Sequence, residues 1–166
     1  VAVDPPSGSG ENSCCGIVVA GVEAAEGLAG RSVVLADCSV TGQTPGGWAK
    51  AVVKAYSRFS ADRVVAEGNQ GGDMVPAMLK SIDANLPVTV VHASRGKFAR
   101  AEPVAALYEQ GRVVHAGRFA ELEDQMCDFG PNGLSSGRSP DRLDALVWAL
   151  TALVLDGQGE PRGRGI

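Results

Sequence analysis

The order of this chain's apolar stretches constrains its fold more than any single motif does. Three β-branched runs come first, Val1–Val3, Gly16–Val22 ("GIVVAGV") and Ser32–Ala36 ("SVVLA"), separated by turns rich in Gly, Ser and Glu. Short runs punctuated in this way predict a three-stranded antiparallel meander. After "TGQTPGG" the period changes. In "WAKAVVKAYSRF" the residues Trp48, Val52, Val53, Tyr56 and Phe59 recur at helical spacing, and a strand at Arg63–Glu67 follows. A helix over Asp73–Ala84, with Pro76 tolerated in its first turn, leads to a strand at Pro87–His92. Next come a helix over Phe98–Gln110 stopped by Gly111, an extended piece at Arg112–His115 and a weak helix around Phe119–Cys127. The strongest helix is the last, "PDRLDALVWALTALVL". Ser139 is its expected cap and Pro140 its first residue, and Leu143, Leu146, Val147, Leu150, Leu153 and Val154 form its expected buried face.

A meander followed by alternating helices and strands predicts an α/β domain with a mixed sheet, antiparallel on one side and parallel on the other, covered by helices on both faces. This order of elements is similar to that of the ribonuclease H-like fold. With 166 residues the chain suits one well-buried domain, read as 1–156, followed by a mobile tail at 157–166 ("GQGEPRGRGI") that lacks core-forming residues. No uncharged apolar run reaches the length of a membrane span. The chain opens inside an apolar run without Met, which suggests a piece of a longer polypeptide. Cys14, Cys15, Cys38 and Cys127 have neither zinc-ligand spacing nor the look of a disulfide framework, so free thiols in a reducing cytoplasm are expected. A formal net charge of -4 argues against coating nucleic acid by bulk electrostatics. Contact with a polyanion would need a local basic patch or metal ions.

Acids fall where core elements end. Asp4 closes the first strand ("VAVDPP"), Glu67 closes the fourth ("VVAEGN"), and Asp141 and Asp144 open the last helix. A sheet with parallel strands presents its crevice beyond their carboxyl ends, so acids distant in sequence can converge there. Converged carboxylates favour hard cations such as Mg²⁺ or Mn²⁺, and a two-metal site suits hydrolysis of a phosphodiester. Each acid also has an ordinary role. Asp-Pro-Pro is good turn chemistry, and Asp141 and Asp144 complement a helix N-terminus, where the Asp144 side chain can point away from the buried face. Glu67 is harder to explain away, since Glu is a poor turn former and a carboxylate at the end of a buried strand needs partners. Asp37, at the end of "VLADCS", is a fourth candidate.

The pieces "AEGNQGG", "RAEPVAALYEQGRV" and "SPDRLDALVWAL" resemble, in order, the nuclease domain of the large terminase subunit, the DNA-packaging motor protein of tailed phages and gene transfer agents. The resemblance extends through "VAVDPPSG", "CGIVVAG" and "VLADCSVTG". It implies a ribonuclease H-like, metal-dependent endonuclease that cuts concatemeric double-stranded DNA in the bacterial cytoplasm. It also implies an N-terminal ATPase motor, absent from this sequence, with a portal and a small terminase subunit as partners. "GNQGGDM" lacks Gly-Lys-Ser/Thr and is not a P-loop. The acidic triad carries over to Asp4, Glu67 and Asp144, with Asp141 as rival or additional metal ligand.

In that reading Asp4 is the candidate to bridge two ions, and Glu67 and Asp144 complete their ligand sets. A Ser-His-Asp site is poorly supported, because neither His92 nor His115 sits in a nucleophile-elbow pattern. The stretch Arg95–Arg118 carries Arg95, Lys97, Arg100, Arg112 and Arg118 against Glu102 and Glu109, and reads as the local basic patch. Arg95, Lys97 and Arg100 are its candidates for DNA phosphates, with Arg162 and Arg164 in the tail as weaker ones. Gly68, Gly71 and Gly72 are expected to give a sharp turn beside Glu67, and no base-reading motif is evident.

Overall fold

The computed structural model describes residues 1–6, 8, 10–23, 30–69 and 72–155. Within it β1 (Ala2–Asp4), β2 (Cys14–Val22) and β3 (Ser32–Asp37) pair antiparallel in chain order, as the three β-branched runs predict. A further strand, β4 (Val40–Thr41), too short to show a period in sequence, pairs with Cys14 and Cys15. Thr44 caps α1 (Pro45–Arg58) by accepting from the Gly47 amide at 3.2 Å. The chain then forms β5 (Val64–Glu67) parallel to β1, α2 (Met74–Ile82), and β6 (Val88–Val91) parallel to β5. α3 (Lys97–Glu109) leads to β7 (Val113–His115), so the extended piece after Gly111 is an edge strand parallel to β3. Two helices, α4 (Ala120–Asp128) and α5 (Asp141–Leu150), follow. The sheet order is β6-β5-β1-β2-β3-β7, with β4 beside β2. Every strand except β2 runs in one direction, so the carboxyl ends of β1, β3 and β5 share an edge.

The two faces of the sheet have separate cores. Val3, Ile17, Val64 and Ala66 pack with Trp48, Val52 and Leu79 of α1 and α2. On the other face Val18 and Val34 pack with α3, α4 and α5, and Ala2 and Val65 pack with Trp148 and Ala149 of α5.

α5 departs from expectation. All residues from Leu143 to Leu150 are buried, as required of a helix enclosed by a sheet and other helices. Asp144 is only 2% exposed, so its side chain does not point away from a buried face. Pro140, not Ser139, occupies the cap position, and Gln125 Oε1 of α4 accepts from the first-turn amide of Leu143 at 3.1 Å. Regular helix ends at Leu150. A π-helical turn spans Thr151–Leu155, where Leu153 and Val154 are half-buried. Gln70, Gly71 and the tail at 157–166, with Arg162 and Arg164, lie outside the described residues. The four cysteines are unpaired, and among the described residues no helix is long and apolar enough to cross a membrane.

Candidate metal centre at the sheet edge

Strand alternation accounts for the first two acids. Ala2 and Val65 face α5, so the residues two further on, Asp4 and Glu67, face it too. The parallel register pairs Ala2 with Val65 and Val3 with Ala66. One step on, it sets Asp4 beside Glu67. The third acid comes from α5, on which Asp141, Asp144 and Trp148 follow at i, i+3 and i+7 and so lie along one stripe.

α5 can reach this edge because β2 has a glycine there. Gly16 pairs with Asp4, and a Cβ on it would overlap the Asp141 carbonyl and come within 3.2 Å of Ala145 Cβ. The result is a convergence of Asp4, Glu67 and Asp144, each offering a carboxylate oxygen, with those atoms all within 4.8 Å of one another.

Two cations from α3 enter the cluster. Lys97 Nζ lies 2.5 Å from Asp144 and 3.5 Å from Asp4, and donates to Ser139 Oγ at 3.0 Å. Ser139 therefore serves the site instead of the helix cap. One turn on, Arg100 reaches Glu67 at 3.4 Å and Asp144 at 3.0 Å. Its guanidinium lies over the Trp148 ring, 4.6 Å from the centroid. Trp148 donates its indole N–H to Glu67 Oε2 at 2.6 Å.

Three carboxylates thus face two cations. Burial pushes the Asp4 carboxyl up to about 8; Lys97 opposes the rise, and Asp144, Glu67 and Asp141 add to it. In the absence of metal, a proton on Asp4 would balance the charge of the cluster. Burial alone would lower the Lys97 ammonium, but Asp4 and Asp144 outweigh it and hold the group above its ordinary value. Burial also raises Asp141, against the Ser139 hydrogen bond and Lys97.

The other candidates sit apart from the triad or beside it. Asp141 is outside the converged set but close enough to act on Asp4. It lines a groove of about 630 Å³ together with Asn12, Ser13, Arg138 and Ser139. Asp37 is held by Arg142 at 2.7 Å and accepts from the Ser39 amide at 3.0 Å. That pairing accounts for its charge without a metal. Arg95 is exposed in the loop before α3. The stretch Arg95–Arg118 does not make one basic patch. Lys97 and Arg100 turn inward to the acids, and Arg112 lies past the far end of a 13-residue helix, about 20 Å away along its axis.

The loop after Glu67 supports the edge. A Cβ on Gly68 would meet Val90 Cγ1 at 2.6 Å and His92 Cε1 at 2.9 Å, so glycine here permits close approach to β6 and its continuation. Asn69 clamps that continuation with two bonds, Nδ2 to the Ala93 carbonyl at 3.1 Å and the Ala93 amide to Oδ1 at 2.9 Å. Sequence reasoning missed Trp148, although its position four residues after Asp144 puts it on the same helix face.

Sheet order and edge acids define a domain of the ribonuclease H-like class. The family model for the terminase RNaseH-like domain matches residues 1–153, and the chain belongs to that family. The large terminase nuclease of thermophilic phage G20c superposes with a TM-score of 0.58 at 14% identity, covering 92% of this chain and 94% of that one. Its cobalt-bound form gives 0.57 at 17% identity, covering 92% and 93%. The yeast mitochondrial Holliday junction resolvase Ydc2 gives 0.48 at 12% identity, covering 89% and 75%. No curated protein sequence matches significantly.

Proposed function

We propose that this domain is the metal-dependent endonuclease of a large terminase, cutting concatemeric double-stranded DNA for packaging. The convergence of Asp4, Glu67 and Asp144 carries the reading. Buried carboxylate oxygens suit hard divalent cations, and the cobalt-bound G20c nuclease is consistent with a divalent ion on this fold. Asp4, Glu67 and Asp144 would hold two Mg²⁺ or Mn²⁺ ions, with Asp141 as an additional ligand. Such ions supply an activated water and charge stabilisation for the leaving oxygen of a phosphodiester.

The chain's own residues orient and balance that chemistry. Arg100 spans Glu67 and Asp144 and is buried against Trp148, so its role is to hold the acids. Lys97, half-exposed and on Asp4 and Asp144, is the group placed to meet a phosphate entering the site. Exposed Arg95 adds a backbone contact beside it. Asp4 must release its proton before it can act as a ligand. An ATPase motor, a portal and a small terminase subunit would deliver the DNA in the bacterial cytoplasm.

Plasmid cleavage with Mn²⁺, Mg²⁺ or EDTA tests the reading, with Asp4→Asn and Glu67→Ala as comparisons. The wild type should nick and linearise circular plasmid with either metal, and EDTA or either substitution should abolish cleavage. Equal cleavage by all three proteins would sink the site assignment. Activity confined to four-way junction DNA would instead identify a junction resolvase.

A further inference from the structure

We propose that Trp148 is a positioning residue that restricts Glu67 to a single oxygen as a metal ligand, and so sets the centre against Ca²⁺. This rests on the metal-dependent reading above. Glu67 Oε2 already accepts two donors, the Trp148 indole N–H at 2.6 Å and an Arg100 N–H at 3.4 Å. A carboxylate oxygen has two lone pairs. With both engaged, Oε1 remains free for a cation.

The arrangement is rigid on every side. Trp148 is 8% exposed on a helix buried all round, its ring packs near Ala2 and Val65, and the Arg100 guanidinium covers its face. Glu67 therefore cannot rotate its carboxylate to offer both oxygens without breaking the indole bond. Mg²⁺ and Mn²⁺ are served by single oxygens in octahedral sets, whereas Ca²⁺ takes six to eight oxygens and readily uses a carboxylate in bidentate fashion. A carboxylate locked to one free oxygen favours the smaller ions. Tryptophan suits the role because its N–H donates and never accepts, so it cannot itself become a ligand.

The test is isothermal titration of the DNA-free protein with Mg²⁺, Mn²⁺ and Ca²⁺ separately, for wild type, Trp148→Phe and Arg100→Met. Phenylalanine keeps the ring beneath Arg100 and removes only the donor. Outer-shell partners typically govern about 10–100-fold in metal affinity. Trp148→Phe should accordingly shift the Mg²⁺ to Ca²⁺ affinity ratio about tenfold toward Ca²⁺. Arg100→Met removes the weaker donor on that oxygen and the pair with Asp144 but leaves the indole bond, so it should change the affinities of all three ions and move the ratio by less. If Trp148→Phe does not fold, Trp148→Met, which also removes the N–H, takes its place. A ratio equal to wild type in the folded Trp148 variant overturns the proposal, even if all affinities fall together, since that is the effect of a merely structural role. Wild-type protein that binds none of the three ions removes the metal-centre reading and this inference with it. Wild-type binding with an unchanged ratio removes this inference alone.

Discussion

Asp4 should destabilise the metal-free protein near neutral pH, and replacing it with Asn should stabilise the fold while removing the proposed activity. Its carboxyl is pushed up to about 8 in the folded chain, chiefly by burial and against the pull of Lys97. In the unfolded chain it titrates near its ordinary value of about 3.9. Between those values the folded state holds a proton that the unfolded state has released. Stability therefore falls as pH rises through that window and levels off above the folded value. Each pH unit in the window costs about 1.4 kcal/mol at most. From about pH 5 to pH 8 this group alone removes on the order of 4 kcal/mol. For a chain of this size that corresponds to roughly 8–16 °C in Tm. Asp4→Asn removes this pH dependence while keeping the side chain's shape.

Thermal melts of both proteins in EDTA, from about pH 5 to pH 9, isolate the effect, because other titrating groups largely cancel in the difference. The stability of Asp4→Asn relative to wild type should increase steadily up to about pH 8 and then flatten. Asn also weakens the contact with Lys97, so the offset between the two curves is less informative than its slope. An offset that is flat with pH, or that moves in favour of wild type as pH rises, would refute the claim that burial dominates this carboxyl.

Two further outcomes test how the edge is built. Gly16→Ala places a Cβ against the Asp141 carbonyl, and should cost about 3 kcal/mol through overpacking, read as a fall of roughly 6–12 °C in Tm. Gly21→Ala is the control on the same strand, since its Cβ would sit at 3.7 Å from Leu35 Cδ1; equal losses for the two would contradict the helix-approach explanation. Asn69→Ala removes both bonds to Ala93 and should cost about 1 kcal/mol, because the clamp is exposed. Hydrogen exchange at the Ala93 amide should accelerate, and unchanged protection there would show that the clamp does not hold the loop.

Where the chain announces its structure and where it does not follows from the range of the interactions involved. Strand alternation is local, and "VAVD" and "VVAE" display it directly: Ala2 and Asp4 share one face, and so do Val65 and Glu67. The element order, the meander and the edge acids could be read for that reason. β4 could not, because two residues carry no period. Asp144 joins the acids as the triad expectation has it, and only its alternative role, with the side chain turned to solvent, fails. The run "LDALVWAL" is apolar at almost every position, which marks a helix buried on all sides more than an amphipathic one, and an acid in such a helix has no solvent-facing side to turn to.

Lys97 and Arg100 show the limit most clearly. Their spacing puts them on one face of α3, but a basic helix face reads the same whether it meets water or buried acids. What separates the two cases is the packing of α3 against α5, a tertiary fact set by Val104, Leu107, Leu146 and Leu150. The placing of α5 against the sheet also decides Asp37. At a strand end it looks equivalent to Asp4, yet Arg142, two residues before Asp144 on α5, reaches it at 2.7 Å. Asp4 meets instead Lys97 and two other carboxylates. One helix therefore sorts the two strand-end acids through neighbouring positions: Arg142 neutralises Asp37, while Asp144 leaves Asp4 in a cluster with more carboxylates than cations. The second place and not the first is therefore where the proposed hard cation would sit.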